Sequence, residues 1–489
     1  MGLEHKVISG ARWSAIGIWG RKLISFATFA VIARHVSPDS LGLVALAMIY
    51  IAFVEMFSKQ GLGMALIQKK ELKHKHTNTA FLINLAAAML LAVLSLAFAN
   101  PISVLLGDER LATIIRVLAV TFPFNAANVV PVALQSRAFD FKSQAFQTFL
   151  GTFVAGAVSI ALAILGYEVW ALVVQSIIFS VVCSITIWLR TTWRPSVLFD
   201  WTEARELTVF SSKILLSNIV GFTRARSDQI FIGIAAGPIG LGLYVLGLKL
   251  TETIDSIIRA PLDRVMVSAF SNLQDDRPRL LRAICRATRL NSLVACPVMV
   301  GVALLAPEVV TLLFSSKWSG AATVCSIIAL NRLSISLFFL NYHVFISQGF
   351  PGVQTLLQLA QAVGVVIASL VGQAWGIEGV AIGVAISGFV LNILNTFVMG
   401  KTVGIRVRPI FMSMVVPVVA AVVMAGVVEA SRSFVIPADE SDIVRLLVLS
   451  ALGAAAYGLS IRVMSKNLAA DAVDLSRKIL IRGKSQPVR

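Results

Sequence analysis

Residues 144–190 read QAFQTFLGTFVAGAVSIALAILGYEVWALVVQSIIFSVVCSITIWLR. Each half is close to the roughly 20 residues that a helix needs to cross a bilayer. Only the turn Gly166-Tyr167-Glu168 separates them. Two membrane-length helices joined by so short a turn predict an antiparallel transmembrane hairpin. Applied outward along the chain, the same reading gives fourteen spans, at about 10–33, 41–63, 79–100, 111–134, 144–166, 168–190, 207–233, 240–262, 290–314, 321–346, 353–374, 378–399, 410–430 and 443–464. Composition agrees. The chain has 489 residues, 57% of them hydrophobic and 14% charged, and a mean hydropathy of +0.85. An ordinary soluble domain carries about 25% charged residues, so a large soluble enzyme, a disordered chain and a disulfide-rich secreted scaffold are all excluded.

The formal net charge of +17 lies mainly between the apolar runs. One set of loops holds Lys69, Lys70, Lys73 and Lys75, then Arg137 and Lys142, then Arg190, Arg194 and Arg205. It continues through Arg264 to Arg289, through Lys401, Arg406 and Arg408, and into a basic tail from Arg462. The opposite set holds only Arg34, Arg110, Lys317 and Arg432. By the positive-inside rule this predicts an even number of spans with both termini cytoplasmic. The basic charge then points to the anionic cytoplasmic leaflet. No cleaved leader is expected, because the first apolar run is too long and lacks a small-residue cleavage site. Segment 263–289 is the one sizeable cytoplasmic insertion. Arg279, Arg282, Arg286 and Arg289 alternate there with Leu280, Leu281 and Ile284. That suits either a basic amphipathic helix on the headgroups or a solvated connector.

A repeat is visible. Pro38-Asp39-Ser40-Leu41-Gly42-Leu43 returns as Pro238-Ile239-Gly240-Leu241-Gly242-Leu243, and Gly166-Tyr167-Glu168-Val169-Trp170-Ala171-Leu172 returns as Gly376-Ile377-Glu378-Gly379-Val380-Ala381-Ile382. The offsets are 200 and 210 residues. The unit is six helices long, so both copies enter the membrane in the same direction and alternating access between two bundles follows. The expected organisation is an all-α membrane protein with bundles at 1–200 and 201–402, an accessory helix pair at 403–464 and a basic tail at 465–489.

Charges at bilayer depth are costly and mark wet or functional interiors. Arg21 and Lys22 fall in the first span, Glu55 and Lys59 in the second. Arg224, Arg226 and Asp228 lie in the seventh, Lys249, Glu252, Asp255 and Arg259 in the eighth, and Asn331 and Arg332 in the tenth. Glu55/Lys59, Arg224/Asp228, Asp255/Arg259 and Lys249/Glu252 have the spacing of same-helix pairs, which would make them structural. Arg21, Lys22, Arg226 and Arg332 have no such acid. Arg21, Lys22, Arg224, Arg226, Lys249 and Arg332 are therefore candidates to line a cationic cavity for an anionic ligand, phosphate above all. Glu55, Asp228, Glu252 and Asp255 are the counter-ion or coupling candidates. His74 and His76 sit in a Lys-rich segment expected to be solvated. The four cysteines are scattered as packing residues. No nucleotide, metal or nucleophile motif occurs in a credible context, so no cofactor or metal is expected. Gly379 and Gly383 form a G-x-x-x-G of close helix packing.

Several stretches stand out together: Gly10-Ala11-Arg12-Trp13, IARHVSPDSLGLVAL from Ile32, QGLGMALIQ from Gln60, LQSRAFDF from Leu134, RSDQIFIG from Arg226, APLDRVMVSAFSNLQDD from Ala260 and LLFSSKW from Leu312. In their order and spacing they resemble the polysaccharide transporter family, which comprises O-antigen flippases and capsule or exopolysaccharide exporters within the multidrug/oligosaccharidyl-lipid/polysaccharide flippase superfamily. The resemblance implies two six-helix bundles facing each other in a V, with two further helices. It also implies movement of an undecaprenyl-pyrophosphate-linked oligosaccharide from the cytoplasmic to the periplasmic leaflet of the inner membrane. A glycan polymerase and a chain-length regulator would be partners, and nucleic acid would not. Three other readings stay open: a peptidoglycan-precursor flippase, a multidrug or cation antiporter, and a membrane glycosyltransferase taking the same lipid-linked substrate. An excess of cations argues against the antiporter, and short external loops against the transferase.

Overall fold

A computed structural model of the chain describes residues 20–59, 61–434 and 441–464. Gly10-Ala11-Arg12-Trp13, the start of the first span and the basic tail from residue 465 lie outside these, as does the side chain of Lys59. Among the described residues the regular structure is all helix, with no strand. That is the expected solution for a chain immersed in lipid, because a helix satisfies its own backbone polar groups.

The helices are α1 (residues 20–35), α2 (Pro38–Lys59), α3 (Leu62–Gln68), α4 (His74–Leu105), α5 (Leu111–Leu118), α6 (Thr121–Ala127), α7 (Val129–Arg137), α8 (Phe141–Ile164) and α9 (Glu168–Arg190). They continue as α10 (Trp201–Ser271), α11 (Arg277–Leu304), α12 (Ala306–Phe314), α13 (Ala321–Phe338), α14 (Leu340–Ser347), α15 (Pro351–Gly372), α16 (Gly376–Val403), α17 (Arg408–Phe434) and α18 (Asp442–Met464). Eleven helical stretches are long and apolar enough to cross a membrane, and two of these, 44 and 53 residues long, each have the length of two crossings. Gly237 (φ 66°) breaks the first and Gly376 (φ 71°) the second. Counted so, and with α1, the stretches are compatible with fourteen spans.

Segment 263–289 is not a loop. Residues to Ser271 complete α10 and residues from Arg277 begin α11, leaving a turn of five. The reason is the apolar stripe: Leu280, Ile284 and Ala287 are buried in a core shared with Val344 and Phe345, while Arg279, Arg282, Arg286 and Arg289 stay exposed. The amphipathic face that suggested a headgroup-bound helix is packed on protein instead.

The stops repeat with the sequence. At Phe139 (φ 56°) and Gly349 (φ 83°) the backbone turns left-handed, and the next amides, Asp140 and Phe350, reach back to the Gln135 and Phe345 carbonyls at 2.9 Å each. Gly166 (φ 86°) and Gly376 (φ 71°) open the matching hairpin turns. Both pairs are offset by 210 residues. Such left-handed closures satisfy the last carbonyls of a helix. The G-x-x-x-G packing is also present: a Cβ on Gly379 would lie 2.4 Å from the Gly372 carbonyl oxygen, and one on Gly383 2.9 Å from that of Ala368.

The chain divides into two compact units, Met1–Val245 and Leu246–Arg489. In the first, Leu62, Leu66, Phe81, Val130, Trp193 and Leu207 form a core that gathers α3, α4, α7 and the start of α10. The first turns of α2 and of the second half of α10 cross at unusually short range. A Cβ on Gly42 would fall 1.7 Å from the Pro238 carbonyl oxygen, and one on Gly242 would fall 2.0 Å from that of Pro38. The two copies of the Pro-x-x-x-Gly repeat thus lie backbone on backbone, each glycine under the other's proline carbonyl. The α2 turn is pinned from two sides. One oxygen of Glu168 takes the Ser37 amide (3.1 Å) and the hydroxyls of Ser37 (2.5 Å) and Ser40 (2.7 Å). Arg110 holds Asp39 through both terminal nitrogens, at 2.7 and 3.0 Å, and Asp108 at 2.6 Å. In the second unit the accessory pair α17–α18 is docked on α11 and α12. Arg432 meets the buried Glu308 at 2.9 Å, and the Tyr457 hydroxyl donates to the Leu293 carbonyl at 3.0 Å.

Candidate functional site

In the first unit the candidates lie on α1, α2 and α10. Arg21 is exposed and Lys22 half-buried on the described start of α1. Glu55 accepts a hydrogen bond from the Asn125 amide of α6. The rings of Phe53 and Phe222, 5.5 Å apart, bring α2 beside the stretch of α10 that carries Arg224 and Arg226. Both arginines are exposed. Among the described residues the Arg226 guanidinium meets the Gln229 side-chain carbonyl at 2.9 Å and no carboxylate. Asp228, two residues on, points the other way into the protein. It is 8% exposed, and accepts the buried Tyr244 hydroxyl at 2.6 Å and the Gln229 amide at 2.8 Å. Helical geometry sets this division, because residues two apart face roughly opposite sides.

In the second unit Asp255 is fully buried and gripped by Arg259, four residues on, through contacts of 2.5 to 3.0 Å. This pair is therefore structural, as its spacing allowed. Arg332 of α13 lies 4.0 Å from Glu252 of α10, with the glutamate largely exposed. Sequence spacing gave no hint of that partner. Lys249 is half-buried. Beside Arg332, the Asn331 side-chain oxygen is buried without a donor, and Gly388 on α16 leaves it room.

Sequence reasoning missed a polar cluster at the other end of α10. His76, expected in a solvated loop, is 4% exposed. Its Nδ1 accepts the Lys73 amide at 3.0 Å, so Nε2 carries the proton and donates to Glu203 at 2.9 Å. Glu203, itself 8% exposed, also takes Lys69 at 2.6 Å and Lys75 at 3.2 Å. Burial pushes the Glu203 carboxyl up, but Lys69 and Lys75 outweigh it and hold it below its usual range. A cavity of about 580 Å³ opens alongside, lined by Gln68, Lys69, Thr202, Arg205 and Glu206. An apolar groove of about 400 Å³ runs along α4, with Tyr50 and Ser95 sharing a 2.9 Å hydrogen bond in its wall. Glu168 was legible in part, as the acid of a hairpin turn that recurs with Glu378, but its two serine partners lie far away in sequence.

The comparisons fit this architecture. The chain is 25% identical over 339 residues to the succinoglycan biosynthesis transport protein ExoT of Rhizobium meliloti, covering 69% of each chain. It is 25% identical over 436 residues to the lipopolysaccharide biosynthesis protein WzxC of Escherichia coli, covering 85% of this chain and 86% of that one. Among solved structures, the lipid II flippase MurJ in its inward closed conformation superposes with a TM-score of 0.76 over 93% of this chain and 99% of that one, at 12% identity. An inward-facing multidrug resistance MATE transporter superposes with a TM-score of 0.60 over 78% and 94%, at 15% identity. At such identities these structures establish the fold alone. The family described as polysaccharide biosynthesis protein matches residues 31–323, more than half the chain, and with its spans, repeat and transporter relatives this multi-pass membrane protein belongs to that family.

Proposed function

We propose that the protein is a transporter that moves a polyprenyl-pyrophosphate-linked oligosaccharide across the bacterial inner membrane for exopolysaccharide, capsule or O-antigen assembly, with both termini cytoplasmic. One observation carries the reading: Arg226 stands at membrane depth, exposed, and turned to a neutral carboxamide rather than to an acid. An arginine kept in such a place without a carboxylate suits an anion that arrives and leaves. Arg21, Lys22, Arg224, Lys249 and Arg332 are the further cations proposed to line the path. A pyrophosphate needs such groups at depth, while the polyprenyl chain stays in lipid. Glu252 balances Arg332, and Asp228, which accepts the Tyr244 hydroxyl, is proposed as a counter-ion or coupling candidate. Glu55 and Asp255 are bound to Asn125 and Arg259. No bond is made or broken in this scheme, and the role proposed is that of a transporter rather than an enzyme. The six-helix bundles at 1–200 and 201–402 are proposed as the units that alternate. A glycan polymerase and a chain-length regulator are the partners proposed to receive the cargo.

The test is Arg226→Ala beside Arg226→Lys in a deletion strain, scoring surface polysaccharide and the leaflet in which lipid-linked oligosaccharide collects. Arg226→Ala should abolish export with normal membrane insertion, and Arg226→Lys should restore part of it. Full export by a well-inserted Arg226→Ala protein removes Arg226 from the path. A peptidoglycan-precursor flippase handles the same pyrophosphate. It is separated by the deletion itself, which is lethal for that function and costs only surface glycan for the one proposed.

A further inference from the structure

Residues 191–200, between α9 and α10, form no regular element, yet they are firmly held. Trp193 turns inward and packs edge-on against Phe81, ring centroids 5.6 Å apart. The Asn78 carboxamide grips Ser196 twice, accepting its amide at 3.2 Å and donating to its hydroxyl at 2.5 Å. The Asp200 amide donates to the Thr79 hydroxyl at 3.1 Å, and its carboxylate takes Lys75 at 3.1 Å.

The end of the same strap and the first residue of α10 present large apolar side chains outward. Val197 is 92% exposed, Leu198 60%, Phe199 43% and Trp201 81%, with the Phe199 and Trp201 rings in edge contact at 5.0 Å. These residues are not needed to cross the bilayer. The span before them ends at Arg190 and the next apolar stretch begins at Ser217. A contiguous row of large apolar side chains, pointed outward by a fixed backbone, marks an interaction surface. It continues the outer face of α9, where Ile185 is 54% and Leu189 80% exposed, one helical turn apart. Arg190, Arg194 and Arg205 flank this stretch in sequence and are exposed; Arg190 lies over the Phe146 ring at 4.2 Å, and Arg194 donates to the Thr191 and Trp193 carbonyls. The acids beside it, Asp200, Glu203 and Glu206, already face Lys69, Lys75 and His76. The flanking charge is therefore positive.

We propose that Val197–Trp201 is an interfacial anchor, seated among the headgroups of the leaflet at the inner end of α9 and selective for anionic phospholipid. Continuity with the lipid-facing side of α9 and the flanking arginines favour lipid over a protein partner. The proposal rests on the chain spanning a membrane and not on its cargo.

The test uses the full-length protein with Leu198→Cys in a Cys285→Ser background, since the other native cysteines are buried. An environment-sensitive fluorophore is attached, and the protein is reconstituted in vesicles of phosphatidylcholine with or without phosphatidylglycerol. The label should be quenched by lipids spin-labelled near the headgroup and shielded from aqueous iodide. Phosphatidylglycerol should deepen that quenching by about twofold or more. Changing Arg190, Arg194 and Arg205 together to Gln should remove the lipid selectivity but keep the insertion. Val197→Cys gives the same reading if the first variant is poorly made. A label as open to iodide as one at the exposed Glu109→Cys, and blind to the lipid quencher, overturns the proposal and turns the patch toward a protein partner.

Discussion

The crossing of Pro38–Gly42 with Pro238–Gly242 makes a sharp prediction. Alanine at Gly42 puts a Cβ 1.7 Å from the Pro238 carbonyl oxygen, and alanine at Gly242 puts one 2.0 Å from that of Pro38, whereas ordinary contacts begin near 3.4 Å. The obstacle is backbone in both cases, so no side chain can swing aside and the helices themselves must part. Overpacking of this kind costs about 1–3 kcal/mol, and the upper end is expected here. For a unit of this size, about 3 kcal/mol corresponds to a melting point lower by roughly 6–12 °C. One displacement relieves both clashes. The double variant should therefore melt close to the worse single, with a coupling of about 2–3 kcal/mol in a double-mutant cycle. The assay is thermal unfolding of purified protein in detergent, followed by tryptophan fluorescence. Gly221→Ala is the control, because nothing lies within 4 Å of its added Cβ. There alanine should be neutral or stabilising by up to about 1 kcal/mol. If Gly42→Ala melts with the control, or the two losses simply add, the crossing is not as close as described.

Four further variants are read by the same measurement. Glu168→Gln removes the charge that collects the Ser37 amide and the Ser37 and Ser40 hydroxyls, and should cost about 1.5–3 kcal/mol; an unchanged melting point refutes this. Gly349→Ala should cost about 1–2 kcal/mol although open space surrounds it, because its φ is +83°. Phe139→Gly, at the matching left-handed position, should be neutral or stabilising, and the reverse order would refute the equivalence of the two turns. Glu203→Gln should cost about 1.5–3 kcal/mol by uncoupling Lys69 and His76. The folded-state Glu203 carboxyl lies below its ordinary range, so its contribution is complete at neutral pH. It is lost only as pH falls through that lowered value, beneath the ordinary glutamate value of about 4.3. The difference between parent and Glu203→Gln should hold from pH 7 to about 5 and shrink below about 4. A difference that fades between pH 7 and 6 would contradict the assignment.

The spans were legible because bilayer thickness sets their length. Residues 168–190, read between Glu168 and Arg190, are the bounds of α9. The repeat was legible as well, since Pro38/Pro238 and Gly166/Gly376 sit at helix starts that demand those residue types. What escaped depends on distance in sequence. The breaks that divide 111–137 into α5, α6 and α7, and 321–347 into α13 and α14, fall inside stretches each read as a single span. Segment 263–289 was misjudged because an amphipathic stripe does not say whether its apolar side meets lipid or protein. The pairings Arg332–Glu252, Glu203–His76 and Glu168–Ser37 join separate helices, and i,i+4 counting sees only one helix at a time. Arg226 was singled out by its depth and by the lack of an acid at pair spacing on its own helix, and Asp228, two residues on, faces away from it.

One consequence of α10 concerns ancestry. The repeat restarts at the beginning of α10, but the compact unit extends to Val245 and so includes the first helix of the second copy. If the chain arose by duplication of a six-helix gene, its evolutionary seam and its physical seam no longer coincide. On that origin one copy would have lent a helix to the other, as subunits do in a domain-swapped dimer. A gene cut at residue 200 would thus leave Lys69, Lys75 and the buried His76 without Glu203. Split or circularly permuted versions should respect the later boundary.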